Sequence, residues 1–356
     1  MTEPPLLDVD ELSTTFAVPR GLLATMRRVP ATEIKAVDGV SFSVHAGELV
    51  ALVGESGSGK TTTAQSLLHL IPSTGGTVLF KGENISQLKT RQLADLRRQM
   101  QVIYQDPYES LDPRFRVRDI VAEPLVIHNI GAKGSDRDGI VRGALERVGL
   151  TPPDLFLDRF PHELSGGQRQ RVAIATALTL EPQLLIADEP VSMLDVSVRA
   201  GILELLDELR DAGLGILMIT HDLSTAARYA DRIAVMYLGR IVEIGTADQI
   251  VKDPRHPYTR ALLSVVPRPS RAGMKREILQ GETPNAAHIP DGCRFHPRCP
   301  VAAAGCSATD PVLQAVPAGP VGHEAACLRL DDLVDQPARH APTGAAETPG
   351  TGGVSG

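Results

Sequence analysis

"VALVGESGSGKTTTAQSLL", residues 50–68, sets an apolar run against a stretch of glycines and serines that ends in a lysine. Glycine costs a strand or helix backbone entropy, and serine competes for backbone hydrogen bonds, so the middle of this stretch reads as a loop. Its spacing, Gly54-x4-Gly59-Lys60-Thr61, is the phosphate-loop pattern, with a strand pattern before it and a helix pattern after it. Glycines there let successive N–H groups turn inward around phosphate oxygens, with the positive end of a helix behind them. Lys60 is expected to reach the β- and γ-phosphates and the Thr61 hydroxyl to bind Mg²⁺. Glu55, Ser56, Gly57, Ser58 and Thr62 complete the expected ATP cradle.

A phosphate loop needs a metal carboxylate, and "LLIADEP" supplies an apolar strand ending in Asp188 and Glu189. At the carboxyl edge of a strand, Asp188 can hold Mg²⁺ while Glu189 polarises an attacking water. Further strand-like runs, "ELVALVG", "QVIYQ", "GILMITHD" and "RIAVMYL", are separated by helical patterns, which predicts an α/β core with a largely parallel sheet. The earlier "LLDVDELST" and "VSFSVHAGE" alternate with period two and predict a smaller antiparallel sheet. Helical patterns dominate residues 91–180, read as an inserted helical subdomain.

Composition narrows the class. Aromatics make up 3% of the 356 residues and Trp is absent, leaving little for an aromatic platform that stacks bases. The formal charge is −7, which disfavours general nucleic-acid binding. No apolar run reaches the roughly 18 to 20 residues that span a bilayer, and the acidic start lacks a signal-peptide pattern. A cytosolic location is expected, docked on a membrane partner.

"LSGGQRQRVAIATAL", residues 164–178, puts Ser165, Gly166 and Gly167 at the start of a helix, a second anion-binding terminus. One nucleotide does not need two such cradles from one subunit, so two subunits packed head to tail would each lend the second to the other's ATP. LSGGQ, Ser165 to Gln168 included, resembles the signature of the ATP-binding cassette (ABC) ATPases. That resemblance implies a RecA-like parallel-sheet core with an antiparallel β subdomain and an inserted helical subdomain. It also implies roles for further residues. Gln105 in "VIYQDPYESLDPR" resembles the Q-loop glutamine that touches the metal or water. "SMLD", Ser192 to Asp195, resembles the D-loop crossing the dimer interface, with Met193 in place of the commoner alanine. His221 resembles the switch histidine at the γ-phosphate. For the adenine-stacking aromatic the reading picks Phe16, with plain packing as its alternative. Glu189, His221 and Gln105 are then the catalytic set, and Thr61, Gln105 and Asp188 the Mg²⁺ ligands.

"QDPYESLDPR", "HPYTRALLSVVP" at residues 256–267 and a cysteine-bearing end resemble the ATPases of oligopeptide/dipeptide importers, whose relatives also move nickel. The form of the Q-loop resembles the second of the two ATPases such systems carry. The resemblance implies two transmembrane permease subunits, a similar second ATPase subunit, an extracytoplasmic peptide-binding protein and a place on the cytoplasmic face of the membrane. A soluble ABC ATPase acting on ribosomes or DNA is the rival. Lys60 and Ser165 lie 105 positions apart with no sustained heptad between them, unlike repair members, and there is one cassette, unlike most ribosomal members. A non-hydrolysing regulator is disfavoured because Glu189 and His221 are both present.

The boundaries expected are 6–265 for the nucleotide-binding domain, 266–330 for a small C-terminal module and 331–356 for a disordered tail. The module holds Cys293-x5-Cys299-x6-Cys306-x20-Cys327. Four thiolates suit zinc or an iron–sulfur cluster, although the close C-x2-4-C pairs usual for zinc are missing. Reduced free thiols are the third reading, and the resemblance points to [4Fe–4S]. The module is expected to lie in another domain, so that losing its metal would spare the phosphate loop.

Overall fold

The computed structural model describes residues 4–17, 33–88, 90–106, 110–131, 134–264, 286–317 and 319–334. Residues 335–356 of the expected tail, and residues 265–285 at the start of the expected C-terminal module, lie outside the described residues.

β1 (Leu7–Ala17) and β2 (Glu33–Val44) pair antiparallel, and β1 also pairs with a later strand, β4. β3 (Leu49–Val53) is buried along its whole length and leads into α1 (Lys60–Leu67). β4 (Gly75–Phe80) and β5 (Glu83–Asn84) complete a four-stranded sheet in the order β2-β1-β4-β5, the small antiparallel sheet expected. α2 (Thr90–Gln99) then feeds β6 (Met100–Ile103), which returns to the main sheet. β6 falls on the strand-like run "QVIYQ", inside the otherwise helical stretch 91–180.

α3 (Val117–Ile127), α4 (Gly134–Arg147) and α5 (Gly166–Leu178) pack on one another. After them come β7 (Leu184–Asp188), α6 (Val196–Asp211), β8 (Gly215–Thr220), α7 (Leu223–Tyr229) and β9 (Arg232–Tyr237). β10 (Arg240–Thr246), α8 (Ala247–Lys252) and α9 (Pro257–Ser264) follow. The last described elements are β11 (Gln314–Ala315), β12 (Glu324–Ala325) and α10 (Leu330–Val334).

The main sheet runs β11-β12-β10-β9-β3-β8-β7-β6, parallel from β9 to β6 and antiparallel at the other end. Both its faces are covered, which is why the parallel strands are unbroken apolar runs. Alternate residues serve different cores. Ala51, Leu185, Met218 and Val235 face the side of α3, α5 and α6, while Leu52, Ile186, Leu217 and Ala234 face α1 and the small sheet.

The cysteine-bearing region is not a separate body. β12 pairs with β10, and the Ala326 N–H donates to the Val242 carbonyl at 2.8 Å. Under that edge, fully buried Glu243 accepts the Arg255 N–H at 2.7 Å, the His256 N–H at 2.8 Å and faces His323 Nε2 at 2.8 Å. A buried carboxylate is tolerable only with partners of this number and closeness. On the far side, buried Arg294 is paired with Asp38 and donates to the Leu238 carbonyl. Arg240 joins Asp38 as well, at 3.0 Å. The sequence expectation of an independent C-terminal domain is corrected: a buried charge network and a shared sheet fasten it to the core.

Candidate active site

The loop between β3 and α1 is shaped by what cannot fit beside it. A Cβ on Gly54 would lie 2.2 Å from the Met236 carbonyl oxygen. At Gly59, with φ +106°, it would lie 2.2 Å from that of Ala36. Lys60 closes the loop from within, donating to the carbonyls of Gly54 at 2.8 Å and Glu55 at 2.9 Å. Burial lowers the Lys60 ammonium from its ordinary value, while the carboxylates of Glu189, Asp188 and Glu55 pull the other way. A buried cation at the mouth of a helix, set in a tight glycine loop, is suited to a polyphosphate.

Asp188 ends β7 against the first turn of α1. Burial, with Glu189 adding to it, pushes its carboxyl above the usual range; a hydrogen bond with Thr61 and the charge of Lys60 oppose this. Its Oδ1 is buried with no hydrogen-bond partner. A buried carboxylate oxygen left over beside a threonine hydroxyl is a donor set that fits Mg²⁺.

Three loops meet next to it. Gln105 Nε2, just past β6, donates to Glu189 Oε2 at 3.1 Å. His221 Nδ1, just past β8, lies 3.1 Å from Glu189 Oε1. Glu189 itself has φ +47°, in the left-handed region, and its N–H donates to the Ile219 carbonyl at 2.9 Å. Such a backbone conformation is costly for a residue with a Cβ and persists only where surroundings enforce it. The sheet thus delivers Gln105 and His221 to the carboxylate of Glu189, the third residue of the expected catalytic set.

Ser165 is the N-cap of α5. Its Oγ accepts the Gln168 N–H at 3.3 Å and its own N–H donates to Gln168 Oε1 at 3.0 Å. Ser165 is exposed, and Gly167 is pressed so close to α6 that a Cβ would fall 2.3 Å from Val198 Cγ1. Ser192 turns its hydroxyl onto the Glu189 carbonyl at 3.1 Å, and Asp195 caps α6 without a side-chain hydrogen bond. Met193, between them, and Val196, just after Asp195, are exposed by 60% and 82%. Phe16 is half exposed near the end of β1, paired in register with Ile34, two residues before the Ala36 that crowds Gly59.

The four cysteines are free thiols lining one small pocket with Phe295 and His256. Burial raises the thiols of Cys293 and Cys327 and pushes Cys299 up to about 11, and neighbouring thiols add to it in each case. Among the described residues no group of three or more His, Cys, Asp or Glu side chains is arranged to hold a single metal ion.

Two residues in contact with the phosphate loop escaped sequence reasoning. Tyr258 Oη accepts the Glu55 N–H at 2.9 Å. Arg298, one residue before Cys299, binds the Glu55 carboxylate with both terminal nitrogens, at 2.9 and 3.1 Å. "HPY" at 256–258 was the available signal, but spacing alone does not show where a tyrosine hydroxyl ends.

A family described as "ABC transporter" matches residues 37–192, and one described as "Oligopeptide/dipeptide transporter, C-terminal region" matches 242–306. A putative peptide import ATP-binding protein of Brucella ovis is 47% identical over 92% of this chain and 99% of its own. The chain belongs to the oligopeptide/dipeptide branch of the ABC transporter ATPases. The oligopeptide transport ATP-binding protein OppF of Salmonella typhimurium is 41% identical over 92% of this chain and 97% of its own. Among solved structures, a dimeric ATP-binding cassette in a post-hydrolysis state, bound to ADP and Pi, is 27% identical. It covers 68% of this ABC ATPase and 98% of its own chain, with TM-score 0.59. No described helix of this ABC ATPase is long and apolar enough to cross a membrane.

Proposed function

We propose that this ABC ATPase hydrolyses ATP to energise the import of oligopeptides or dipeptides through a membrane transporter. The observation that carries the chemistry is the meeting of Gln105, Glu189 and His221 beside Lys60 and the partnerless oxygen of Asp188. In this reading residues 54–62 hold the phosphates and Phe16 stacks on the adenine. Thr61, Asp188 and Gln105 would hold Mg²⁺, which when bound would supply positive charge against the phosphates. Glu189 polarises the attacking water, oriented by Gln105, while His221 contacts the γ-phosphate. The exposure of Ser165 supports its service, with Gly166, Gly167 and Gln168, to the ATP of a partner subunit; Ser192 and Asp195 would cross that interface.

The peptide cargo rests on relatives matched over nearly their whole length. Two permease subunits, a similar second ATPase and an extracytoplasmic binding protein complete the assembly on the cytoplasmic face, with no nucleic acid. Ser110, exposed just past Gln105, would meet a permease in this reading; Tyr108 lies outside the described residues.

For the thiols, the reading is a [4Fe–4S] cluster held by Cys293, Cys299, Cys306 and Cys327. What supports the reading is that the four thiols line one small pocket, as the ligands of one cluster would. Bound iron would supply the positive charge that lets these raised thiols ionise, and would cross-link the module.

The deciding experiment is Glu189→Gln in the assembled transporter: ATP stays bound, hydrolysis and peptide uptake stop together. Uptake that persists without hydrolysis would overturn the reading.

A further inference from the structure

We infer that Tyr258 and Arg298 are positioning residues of the ATP site, through which the cysteine-bearing segment sets the shape of the phosphate loop. The inference rests on the reading of residues 54–62 as the ATP cradle.

Glu55 is gripped at two points. Its N–H, one of the groups that would turn toward phosphate, donates instead to Tyr258 Oη at 2.9 Å. Its carboxylate takes the guanidinium of Arg298 in a two-point pairing at 2.9 and 3.1 Å. Arg298 has only 7% of its side chain exposed, and Glu55 24%. A forked pair of this kind fixes direction as well as distance, which a lysine cannot do.

Both positioning groups are themselves immobilised. Tyr258 and Phe295 are fully buried and pack with Tyr237 in one aromatic node, centroids 4.7 to 5.4 Å apart. Three of the chain's twelve aromatic residues are concentrated in this spot. Arg298 lies over the Tyr237 ring, 5.9 Å from its centroid, and reaches the Tyr237 hydroxyl at 3.4 Å. The histidine of "HPY" fixes the approach: the Tyr258 N–H donates to His256 Nδ1 at 3.1 Å, and burial lowers His256 to about 3, so it stays a neutral acceptor. Phe295 and Arg298 stand between Cys293 and Cys299, so the backbone that presents the thiols also presents the grip.

The grip acts on binding more than on chemistry, because it touches the loop and not Glu189. In the full-length chain, Arg298→Met and Tyr258→Phe should each weaken Mg²⁺·ATP binding by about three- to thirtyfold, the range for a lost hydrogen bond to a charged or backbone partner. In the assembled transporter KM for ATP should rise with kcat within about twofold, since uniform binding is what is lost. Glu55→Gln tests the pair from the loop side without touching the cysteine segment. If the pairing is real, Glu55→Gln adds little to Arg298→Met, and Arg298→Lys recovers only part of the affinity. Hydrogen exchange at residues 54–60 should quicken in Arg298→Met while residues 290–330 stay protease-resistant. Fully additive losses, or unchanged affinity in Arg298→Met, would overturn the inference and leave the ATPase reading standing. Failure of the wild-type chain to bind Mg²⁺·ATP would instead remove the reading beneath it.

Discussion

The phosphate loop and the cysteine segment solve opposite problems with opposite means. The loop is made mostly by consecutive residues, with Lys60 tied to carbonyls five and six positions back and Glu55 gripped from afar. The cysteine segment spreads its four thiols from 293 to 327 and has few large apolar residues, its own core being little more than Val316, Ala325, Cys327 and Leu330. One is shaped before its ligand arrives; the other is shaped by what holds it. The difference teaches where each is vulnerable: the loop to a change of one atom, the segment to loss of its fastenings.

The sharpest way to separate the two is Glu189→Gln. Turnover in the assembled transporter should fall by about 10²- to 10⁴-fold, the worth of a positioned general base, with melting temperature and ATP affinity close to wild type. A variant that also loses ATP would mean that Glu189 holds the cradle together rather than serving the reaction. Next comes Cys299→Ser, or iron removal by chelation. Anaerobically purified wild-type protein should carry about four irons per chain, and the variant should lose iron and colour and become protease-sensitive over residues 290–330. Because Arg298 is its neighbour, ATP affinity should drop severalfold as well. Cleavage at 290–330 with affinity untouched would show that the two regions are independent after all. Colourless wild-type protein with one zinc, or with four free thiols, would replace the cluster. The smallest effect is expected where the signature helix meets α6. Gly167→Ala should destabilise the chain by about 1 to 3 kcal/mol through overpacking against Val198, read by denaturant unfolding. Gly167→Ala combined with Val198→Ala should recover most of it; a neutral single variant would show that α5 and α6 are looser than drawn.

What could be read from sequence was what is local. Apolar runs of five or six residues declared β3, β7, β8 and β9, and the phosphate and signature loops declared themselves by spacing. Two things were hidden for physical reasons. Glu55 meets Tyr258 across 203 positions and Arg298 across 243, and a hydrogen bond of that reach leaves no periodicity. β11 and β12 are two residues long each, too short for any alternation to show, so the stretch after residue 265 reads as a departure from the core when it is a return to it. The left-handed backbone of Glu189 was equally silent, since nothing in "ADEP" distinguishes it from an ordinary strand end.

The returning edge has a practical consequence for anyone trimming this ATPase to a minimal cassette. Cutting after Ser264 would strip β12 from β10 and bare a row of unpaired N–H and C=O groups flanked by Ile241, Val242 and Ile244. It would also take His323 from Glu243, leaving a carboxylate in the interior with two backbone N–H groups for company. An open apolar edge is a template for a second chain, so the shortened protein should clump in proportion to its concentration. The two-residue strands that now close the sheet act as a selvedge, too brief to recruit a neighbour and sufficient to stop the weave from running.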